Sequence, residues 1–262
     1  MNSQKGIKEA IILAGGLGTR LRSTVPDLPK CMAPVAGKPF LSWLIDYFLE
    51  QGVEKFIFAL GYKSEAIEDF LGSKFSAGPA SSKSQSPPSP SSPGLHAQTQ
   101  GPRYQLSLEK EPLGTGGAIR LACTLAEDET VLVLNGDTFF GIDTGALADF
   151  HVEKQAHCSL CLKPMQNFDR YGVVELASGG RVSRFLGKQF YPAGLINGGV
   201  YALNVPGFLA QDLPEKFSFE KDWLEKNDPD RPLYGLVQDG YFIDIGIPAD
   251  YERAQREVNR MR

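Results

Sequence analysis

The stretch EAIILAGGLGTRL, residues 9–21, holds a continuous apolar run that stops at two glycines. Such a run is typical of a β-strand that is buried on both faces, as the strands of parallel sheets are. Glycines after a buried strand let backbone N–H groups turn toward a phosphate. Arg20 then offers a forked, permanent positive charge for phosphate oxygens, and Lys30 offers a second, compact one. We therefore predict a phosphate-binding loop after the first strand rather than a plain strand–helix turn.

Two familiar glycine motifs do not describe this loop. A Walker A loop closes with Gly-Lys-Ser/Thr, and the sequence has no such closure here. The dinucleotide fingerprint has a third glycine or alanine where this chain has Leu21, and no helical pattern opens immediately. A nicotinamide-dependent oxidoreductase is therefore a weak alternative for this sequence.

Strand and helix patterns alternate outward from this loop. Residues 55–60, 104–109 and 131–134 are predicted strands, and residues 39–51, 64–71, 115–126 and 145–155 are predicted helices. This alternation is typical of βαβ units around a mostly parallel sheet. We predict an α/β fold with a Rossmann-like, mostly parallel sheet and helices on both of its faces.

From about residue 158 the pattern changes to closely spaced strands. The candidates are residues 159–163, 171–176, 182–185 and 198–203, and two helices are predicted at residues 219–226 and 249–258. Between these helices, residues 233–237 and 241–245 predict a hairpin that turns at Asp239-Gly240. We expect this part of the chain to form a mixed or antiparallel C-terminal extension of the sheet.

One segment has a composition unlike the rest of the chain. Residues 73–102 contain nine serines, six prolines and three glycines in thirty residues. Such a segment cannot bury enough apolar surface to offset its ordering entropy. We predict a disordered surface insertion within one domain that spans residues 1–262, and a lid or docking segment is the alternative.

Charge and composition bound the class of protein. The chain has 262 residues, of which 27 are basic and 31 acidic, so its net charge is −4 and a basic surface for nucleic acid is not expected. Its apolar runs fall short of the roughly 20 residues that a membrane helix needs, and its N-terminus lacks a signal peptide's features. These features favour a cytoplasmic protein without nucleic-acid or membrane partners.

The four cysteines are too few and too scattered for a disulfide framework. Cys158 and Cys161, with His151 and His157 nearby, offer the ligand types of a zinc site. In a strand, however, His157 and Cys158 point to opposite faces, as do Cys158 and Cys161. We therefore favour a strand with small buried thiols over a metal site.

Several motifs, taken in their order along the chain, resemble the signatures of the sugar-phosphate nucleotidyltransferases. They are AGGLGTRL with Pro29-Lys30, EKEPLGTGGA at 109–118, NGDT at 135–138, RYGVVE at 170–175, INGGVY at 196–201 and FIDIG at 242–246. Phrases such as PFLSWLIDYF and FSFEKDWLE are most similar to those of bacterial D-glycero-D-manno-heptose 1-phosphate guanylyltransferases. The similarity covers nearly the whole chain apart from the Ser/Pro-rich insertion.

The resemblance implies a set of site residues and one cofactor, Mg²⁺. The implied catalytic residues are Arg20, Lys30 and Asp137, and the implied metal ligands are Asp137 and Asp244. The implied nucleotide-binding residues are Leu13, Ala14, Gly15, Gly16, Gly18, Thr19, Glu109, Pro112, Gly114 and Thr115. The implied sugar-phosphate-binding residues are Gly172, Glu175, Lys188 and Asn197.

Three of these carboxylates also have plainer interpretations. Asp137 follows a buried strand as Gly-Asp, a pattern of turns and caps, although strand ends are also where open α/β sheets bind ligands. Asp244 lies in an apolar strand, where an unpaired charge is costly, so it needs a cation or a structural salt bridge. Glu109 suits the N1–H and N2–H₂ donors of guanine, or it is a solvated charge at a strand end.

Two positions depart from the family pattern. Related enzymes usually have proline after the signature lysine, where this chain has Cys31. They also tend to have Glu-Lys where this chain has Gly187-Lys188. The resemblance therefore does not carry over the contact of that glutamate to a sugar hydroxyl, but it still implies a contact of Lys188 with the sugar phosphate.

The resemblance implies that a nucleoside monophosphate is transferred to a sugar 1-phosphate and that pyrophosphate is released. The expected pair is GTP and D-glycero-D-manno-heptose 1-phosphate. Transfer of GMP to mannose 1-phosphate, or of a uridylyl or thymidylyl group to another sugar, is the alternative. A catalytically silent subunit that senses nucleotide sugars would be expected to lose Arg20, Lys30 or an aspartate, and all are present. A homo-oligomer is left open.

Overall fold

The computed structural model describes residues 6–15, 21, 25, 28–61, 64–76, 102–226, 228 and 230–261. Its strands are β1 (Glu9–Leu13), β2 (Pro34–Val35), β3 (Lys38–Pro39), β4 (Lys55–Leu60), β5 (Arg103–Leu108), β6 (Thr130–Asn135), β7 (Thr138–Phe140), β8 (Cys158–Phe168), β9 (Val173–Leu176), β10 (Val182–Leu186), β11 (Tyr191–Asn204), β12 (Leu233–Val237) and β13 (Phe242–Asp244). Its α-helices are α1 (Phe40–Glu50), α2 (Glu65–Ser76), α3 (Gly114–Cys123), α4 (Thr144–Glu153), α5 (Val205–Leu209) and α6 (Pro248–Glu257). Short helical turns of other types cover Lys30–Met32, Ser178–Gly180, Phe219–Leu224 and Val258–Met261.

Within the described residues, seven strands form one sheet in the order β12-β8-β11-β6-β1-β4-β5. β1 pairs in parallel with β4 on one side and with β6 on the other, and β5 continues the parallel sheet beyond β4. The chain thus builds outward from β1 to β5 and then returns to the opposite side of β1 as β6. Open α/β sheets bind ligands at such a reversal of strand order, outside the carboxyl ends of the strands.

The sheet separates two apolar layers, which confirms helices on both of its faces. Alternate residues of each central strand point to opposite sides, so Ile12 of β1 packs with one layer and Ile11 with the other. The first layer includes the apolar faces of α1, α2, α4 and α6, and the second includes those of α3, α5 and the turn Phe219–Leu224. The central strands are therefore buried on both faces, as their continuous apolar runs predict.

The C-terminal extension is mixed, as predicted, but strands β8 and β11 extend beyond the apolar residues from which they were predicted. β11 runs antiparallel to both β6 and β8, and β12 pairs in parallel with β8. The outer parts of β8 and β11 pair with each other as far as Phe168 and Tyr191, where several side chains are exposed. Most side chains there are exposed or only partly buried, so hydrophobic periodicity could not mark these strand ends.

The predicted hairpin at Asp239-Gly240 is wrong. β12 pairs with β8 in the main sheet, whereas β13 pairs antiparallel with β7 in a separate two-stranded sheet. The segment between them, residues 238–241, is irregular with a bend at Gly240, and each flanking strand pairs with a different partner. The Asp-Gly sequence favours a hairpin turn locally, but pairing with strands that are distant in sequence decides where β12 and β13 lie.

The amino boundary of the predicted insertion is also wrong. Residues 73–76 continue α2, so the helix runs to Ser76 rather than to residue 71. The ring of Phe75 lies 4.9 Å from the ring of Tyr104 in β5 and 6.2 Å from that of Phe56 in β4. This aromatic contact extends the helix into a segment whose composition predicts disorder. Residues 77–101 of the predicted insertion lie outside the described residues.

A buried ionic cluster joins the amino ends of β1 and β4. The ammonium of Lys55 lies 3.1 Å from Oε1 of Glu9 and 2.9 Å from Oε1 of Glu127, and it donates to the carbonyl of Leu125 at 2.8 Å. Lys55 and Glu9 are 2% and 3% exposed. This cluster compensates both buried charges at the edge of the sheet opposite the carboxyl ends.

Among the described helices, none combines the length and the apolar character that crossing a membrane requires.

Candidate active site

The ends of β1 and β6 meet at the reversal of strand order. Gly136 donates its backbone N–H to the carbonyl of Leu13 at 3.0 Å. A Cβ atom on Gly136 would lie 2.6 Å from that carbonyl oxygen, so no other residue fits this contact without a shift. Asp137, the next residue, therefore lies close to Leu13 and Ala14, where the glycine-rich loop starts.

Strand pairing brings Asp244 beside Asp137. β13 pairs antiparallel with β7, and Asp244 stands opposite Thr138. The backbone N–H of Ile245 donates to the carbonyl of Asp137 at 3.1 Å. Two carboxylates from distant parts of the chain are thus fixed side by side at the carboxyl edge of the sheet.

Lys30 places one cation between these carboxylates. It lies in a helical turn, Lys30–Met32, whose other two residues are buried in the core. Its Nζ is 2.5 Å from Oδ2 of Asp137 and 3.4 Å from Oδ1 of Asp244. The side chain of Lys30 is 11% exposed, and those of Asp137 and Asp244 are 37% and 20% exposed. The three residues form a charged centre that is open on the side of Asp137.

The donor set of this centre fits a hard cation such as Mg²⁺. Both carboxylates already reach one positive group, and carboxylate oxygens are the ligands that Mg²⁺ takes together with phosphates and water. Across the described residues, no three His, Cys, Asp or Glu side chains converge in a way that could hold a metal ion. Asp137 and Asp244 would supply two of the oxygen ligands, and Mg²⁺ commonly fills its other positions with water and substrate phosphate oxygens.

A second cation, Arg170, approaches the other oxygen of Asp244. Its Nη2 lies 3.7 Å from Oδ2 of Asp244, and its Nη1 donates to Oδ2 of Asp250 in α6. The same guanidinium lies over the ring of Tyr171, 5.5 Å from its centroid. Burial, and then the charge of Asp244, raise the pKa of Tyr171 above its ordinary value.

Glu109 lies against the start of the glycine-rich loop. Its Oε2 accepts from the backbone N–H of Leu113 at 2.8 Å and fixes the turn that leads to α3. Its Oε1 is 3.4 Å from the position that a Cβ atom would take on Gly15. One carboxylate oxygen therefore has a structural partner, while the other faces Gly15, one of the residues predicted to bind the nucleotide.

The turn after Glu109 is hydrogen-bonded to the helical turn Phe219–Leu224. The hydroxyl of Thr115 donates to Oε2 of Glu220 at 2.7 Å and accepts from the backbone N–H of Phe219 at 2.9 Å. Gly114 has a φ of +72°, and Pro112 and Gly114 are exposed. Thr115 therefore has a structural role through its side chain, and the exposed turn remains open to a ligand.

Asn197 stands at the irregularity of β11 beside the end of β6. Its Nδ2 donates to the hydroxyl of the buried Tyr201 at 2.8 Å, and its Oδ1 accepts from the backbone N–H of Gly199 at 3.1 Å. The amide of Asn135, at the end of β6, packs against Gly199. Asn197 thus lies at the same edge of the sheet as Asp137, with its amide oriented by its neighbours.

The other predicted sugar-binding residues lie along the β9–β10 pair. Gly172 approaches the carbonyl of Leu186 in β10, since a Cβ on it would lie 2.4 Å from that oxygen. Glu175 forms a cross-strand ion pair with Arg184 at 2.8 Å. Lys188 is exposed in the loop that leads to β11. The structure therefore gives Gly172 and Glu175 protein partners of their own.

Four predicted site residues, Gly16, Gly18, Thr19 and Arg20, lie outside the described residues.

The cysteines are buried thiols, and all four are free. Burial, together with the charge of Asp137, raises the pKa of Cys31 to about 12, so this thiol beside Lys30 stays neutral. Burial also raises the pKa of Cys158 and Cys161 in β8. The Nδ1 of His151 lies 2.9 Å from the hydroxyl of Ser159, which is its partner in the core. These contacts agree with the interpretation of small buried thiols.

Sequence reasoning did not assign roles to Arg170, Asp250 or Glu220. Arg170 was visible in the RYGVVE motif, and Asp250 follows closely after FIDIG. No periodicity or spacing signals that they pair, because residues 170 and 250 meet only through the folded chain. Glu220 was similarly hidden, since its partner Thr115 belongs to another motif.

The fold and the charged centre together define a class of protein: the chain belongs to the nucleotidyl transferase family, which it matches over residues 9–260. It is 43% identical over 250 residues to the D-glycero-alpha-D-manno-heptose 1-phosphate guanylyltransferase of Aneurinibacillus thermoaerophilus, covering 95% of this chain and 98% of that protein. It is 41% identical over 243 residues to the protein of the same name from Campylobacter jejuni, covering 93% and 96%.

The solved structures include one that resembles this fold along nearly its whole length. HddC from Yersinia pseudotuberculosis, complexed with GMP-PN, is 33% identical, with a TM-score of 0.78. The match covers 96% of this chain and 100% of that chain. The predicted α/β fold and the predicted family are both confirmed.

Proposed function

We propose that this chain transfers GMP from GTP to D-glycero-D-manno-heptose 1-phosphate, releases pyrophosphate and forms a GDP-heptose. The observation that carries the proposal is the meeting of Lys30, Asp137 and Asp244 where the strand order reverses. The two relatives named as heptose 1-phosphate guanylyltransferases support the choice of sugar and base. The likeness to HddC complexed with GMP-PN supports a guanine nucleotide.

The reaction needs positioning and neutralisation of charge rather than a general base. The nucleophile is a phosphate oxygen of the sugar 1-phosphate, which is already largely ionised near pH 7 because its second pKa is about 6. This oxygen attacks the α-phosphorus, its bond to that phosphorus forms, and the bond to the pyrophosphate oxygen breaks. The absence of a Ser/His/Asp set from the described centre is therefore no objection to this chemistry.

Lys30 has two roles in this proposal. Without substrate, its ammonium neutralises Asp137 and Asp244, which would otherwise repel each other. When the triphosphate enters, the ammonium turns toward its oxygens and neutralises charge as the new bond forms. Arg20 is proposed to stabilise the departing β- and γ-phosphates, and this role rests on its place in the sequence motif.

Asp137 and Asp244 are the residues that would hold Mg²⁺ in this proposal. When bound, the ion would neutralise the phosphate oxygens and align the reacting groups. Asp137 lies in the turn just before β7 and Asp244 ends β13, and the pairing of these strands keeps the two carboxylates side by side.

The base and the sugar are proposed to occupy opposite sides of the charged centre. Glu109 would accept from the N1–H and N2–H₂ donors of guanine through the oxygen that faces Gly15. Asn197, oriented by Tyr201 and Gly199, would contact hydroxyls of the sugar. Lys188 would reach the sugar phosphate from its loop, while Gly172 and Glu175 would line the sugar side through the β9–β10 pair.

The proposal is tested by measuring pyrophosphate release from ATP, GTP, CTP, UTP and dTTP. Each nucleotide is paired with D-glycero-D-manno-heptose 1-phosphate and with mannose 1-phosphate, in the presence of Mg²⁺ and with controls that lack the sugar. We expect release with GTP and the heptose, and loss of that release with EDTA.

Other outcomes correct the proposal in defined ways. Release with a different pair would keep the reaction and replace the substrate. Absence of release from every pair by a folded protein would contradict the proposed activity, and binding of a nucleotide sugar would then point to a sensing subunit.

A further inference from the structure

The Asp244 carboxylate has a polar or charged partner at each of its oxygens. Oδ1 accepts from the backbone N–H of Gly246 at 2.8 Å and lies 3.4 Å from the ammonium of Lys30. Oδ2 faces the guanidinium of Arg170, at 3.7 Å from its Nη2. Two cations therefore flank this one carboxylate, one from each side.

These two cations differ in how they are anchored. Lys30 is a single-point donor on a flexible stem, and the proposed reaction requires it to turn toward the triphosphate. Arg170 is a planar fork whose Nη1 donates to Asp250 and whose flat face lies over Tyr171. Arg170 is thus fixed on two sides while its Nη2 still points to Asp244.

Resting on the proposed function, we propose that Arg170 is a positioning residue for the metal ligand Asp244. Asp250 of α6 accepts a hydrogen bond from the guanidinium, the positive charge of the guanidinium faces Oδ2 of Asp244 at 3.7 Å, and the backbone N–H of Gly246 donates to Oδ1. The plane of the carboxylate is then kept when Lys30 leaves. The carboxylate therefore meets the incoming ion without first losing rotational freedom.

The charges around Asp250 supply a matched control. Arg253 lies on α6 and its Nη2 is 3.3 Å from Oδ1 of Asp250, whereas Arg170 takes the other oxygen. Arg253 and Arg170 are therefore both arginines paired with the same carboxylate. The described contacts link only Arg170 of these two to Asp244.

The experiment compares Arg170→Gln, Arg170→Lys, Asp250→Asn and the control Arg253→Gln with the wild type. The first measurement is the dissociation constant of Mn²⁺ by EPR, with an α,β-nonhydrolysable GTP analogue present. The second is the Mg²⁺ concentration that gives half-maximal pyrophosphate release, and the third is the KM for the sugar 1-phosphate at saturating Mg²⁺. Thermal melting of each variant reports on folding.

We expect Arg170→Gln to raise the Mn²⁺ dissociation constant and the half-saturating Mg²⁺ concentration about 10- to 100-fold, as loss of a residue that orients a ligand does. Arg170→Lys should raise the Mn²⁺ dissociation constant less than Arg170→Gln does, because it keeps a positive charge near Asp244 but lacks the planar guanidinium. Asp250→Asn should weaken metal binding while Arg170 is retained. Arg253→Gln should leave both values near those of the wild type.

An unchanged Mn²⁺ dissociation constant in a folded Arg170→Gln variant would overturn the inference. So would a rise in the KM for the sugar 1-phosphate with normal Mn²⁺ binding, since Arg170 would then contact the sugar phosphate itself. If Arg170→Gln does not fold, the same criterion applies to Asp250→Asn. The Mn²⁺ measurement needs no turnover, so it remains decisive even if the wild type fails with every substrate pair.

Discussion

Asp137 and Asp244 carry the largest share of the proposed chemistry, and the sequence predicts both of them. Each lies at the end of an apolar strand, where an uncompensated charge is costly and a cation is the natural partner. The contact of Arg170 with Asp250 could not be predicted in the same way, because it joins residues whose spacing follows no local period. The position of a candidate ligand at a strand end can thus be predicted from the sequence, whereas a contact such as that of Arg170 with Asp250 needs the fold.

Removing either carboxylate charge should abolish most of the activity and leave the fold intact. We expect Asp137→Asn and Asp244→Asn each to lower kcat by about 100-fold or more, since a lost metal ligand costs several kcal/mol of transition-state stabilisation. Steady-state kinetics with Mg²⁺ measure this loss. Asp239→Asn is the control, because that carboxylate pairs with Lys163 and is 76% exposed. Near-normal turnover in both site variants would refute the assignment of metal ligands.

His151 should make the fold less stable in mild acid. Burial, and then the neighbouring His157, lower the pKa of His151 from 6.5 to about 4. The unfolded chain therefore binds a proton below pH 6.5 that the folded chain does not, and stability falls as the pH drops from 6.5 toward 4. The loss from this group approaches about 3 kcal/mol at the lower end. Urea unfolding at several pH values, compared between wild type and His151→Gln, measures it. A variant that keeps the same pH slope would contradict the expectation.

At the scale of the elements, strands were easier to predict than their partners. The bounds of β1 and β4 agree with the sequence, because a strand buried on both faces gives a continuous apolar run with clear ends. The pairing of β13 with β7 was missed, because a turn signal reports only on its neighbours and not on competing strands. That missed pair is the one that brings Asp244 to Asp137.

The glycines of the turn into α3 should resist substitution for reasons of shape. Gly114 has a φ of +72°, and a Cβ on it would lie 2.5 Å from the backbone oxygen of Phe217. We expect Gly114→Ala to lower the free energy of unfolding by more than about 1 kcal/mol. Gly72→Ala in α2 is the control, since a Cβ there meets nothing within 4 Å, and it should stabilise the protein by about 0.4–1 kcal/mol. Urea unfolding of both variants tests this difference, and equal effects would argue against it.

At the scale of the whole molecule, the two ends of the strands in the sheet have different roles. The amino edge holds a closed ionic cluster around Lys55, while the carboxyl edge holds the open centre around Asp137. The family match extends over residues 9–260, and the division of the chain into one domain stays a prediction. A cytoplasmic location and a homo-oligomer stay predictions.

The placement of α2 refines which residues can be removed from the chain. Replacing residues 77–101 with a short linker should leave the melting temperature close to that of the wild type, because the predicted insertion adds no apolar core. The contact of Phe75 with Tyr104 brings the two ends of the gap together. Removing residues 73–102 should instead lower the melting temperature, since it deletes the partly buried ring of Phe75 together with its contacts to Tyr104 and Phe56. Equal melting temperatures of the two deletions would show that Phe75 contributes nothing.

The central claim is that this site joins the α-phosphate of GTP to the phosphate of a heptose. The most direct test is ³¹P NMR of the products formed from GTP and D-glycero-D-manno-heptose 1-phosphate whose non-bridging phosphate oxygens carry ¹⁸O. Direct attack predicts GDP-heptose with the label on the sugar-linked phosphate and in the bridge to the α-phosphorus, and unlabelled pyrophosphate. Labelled pyrophosphate, or a product without label in that bridge, would contradict the account.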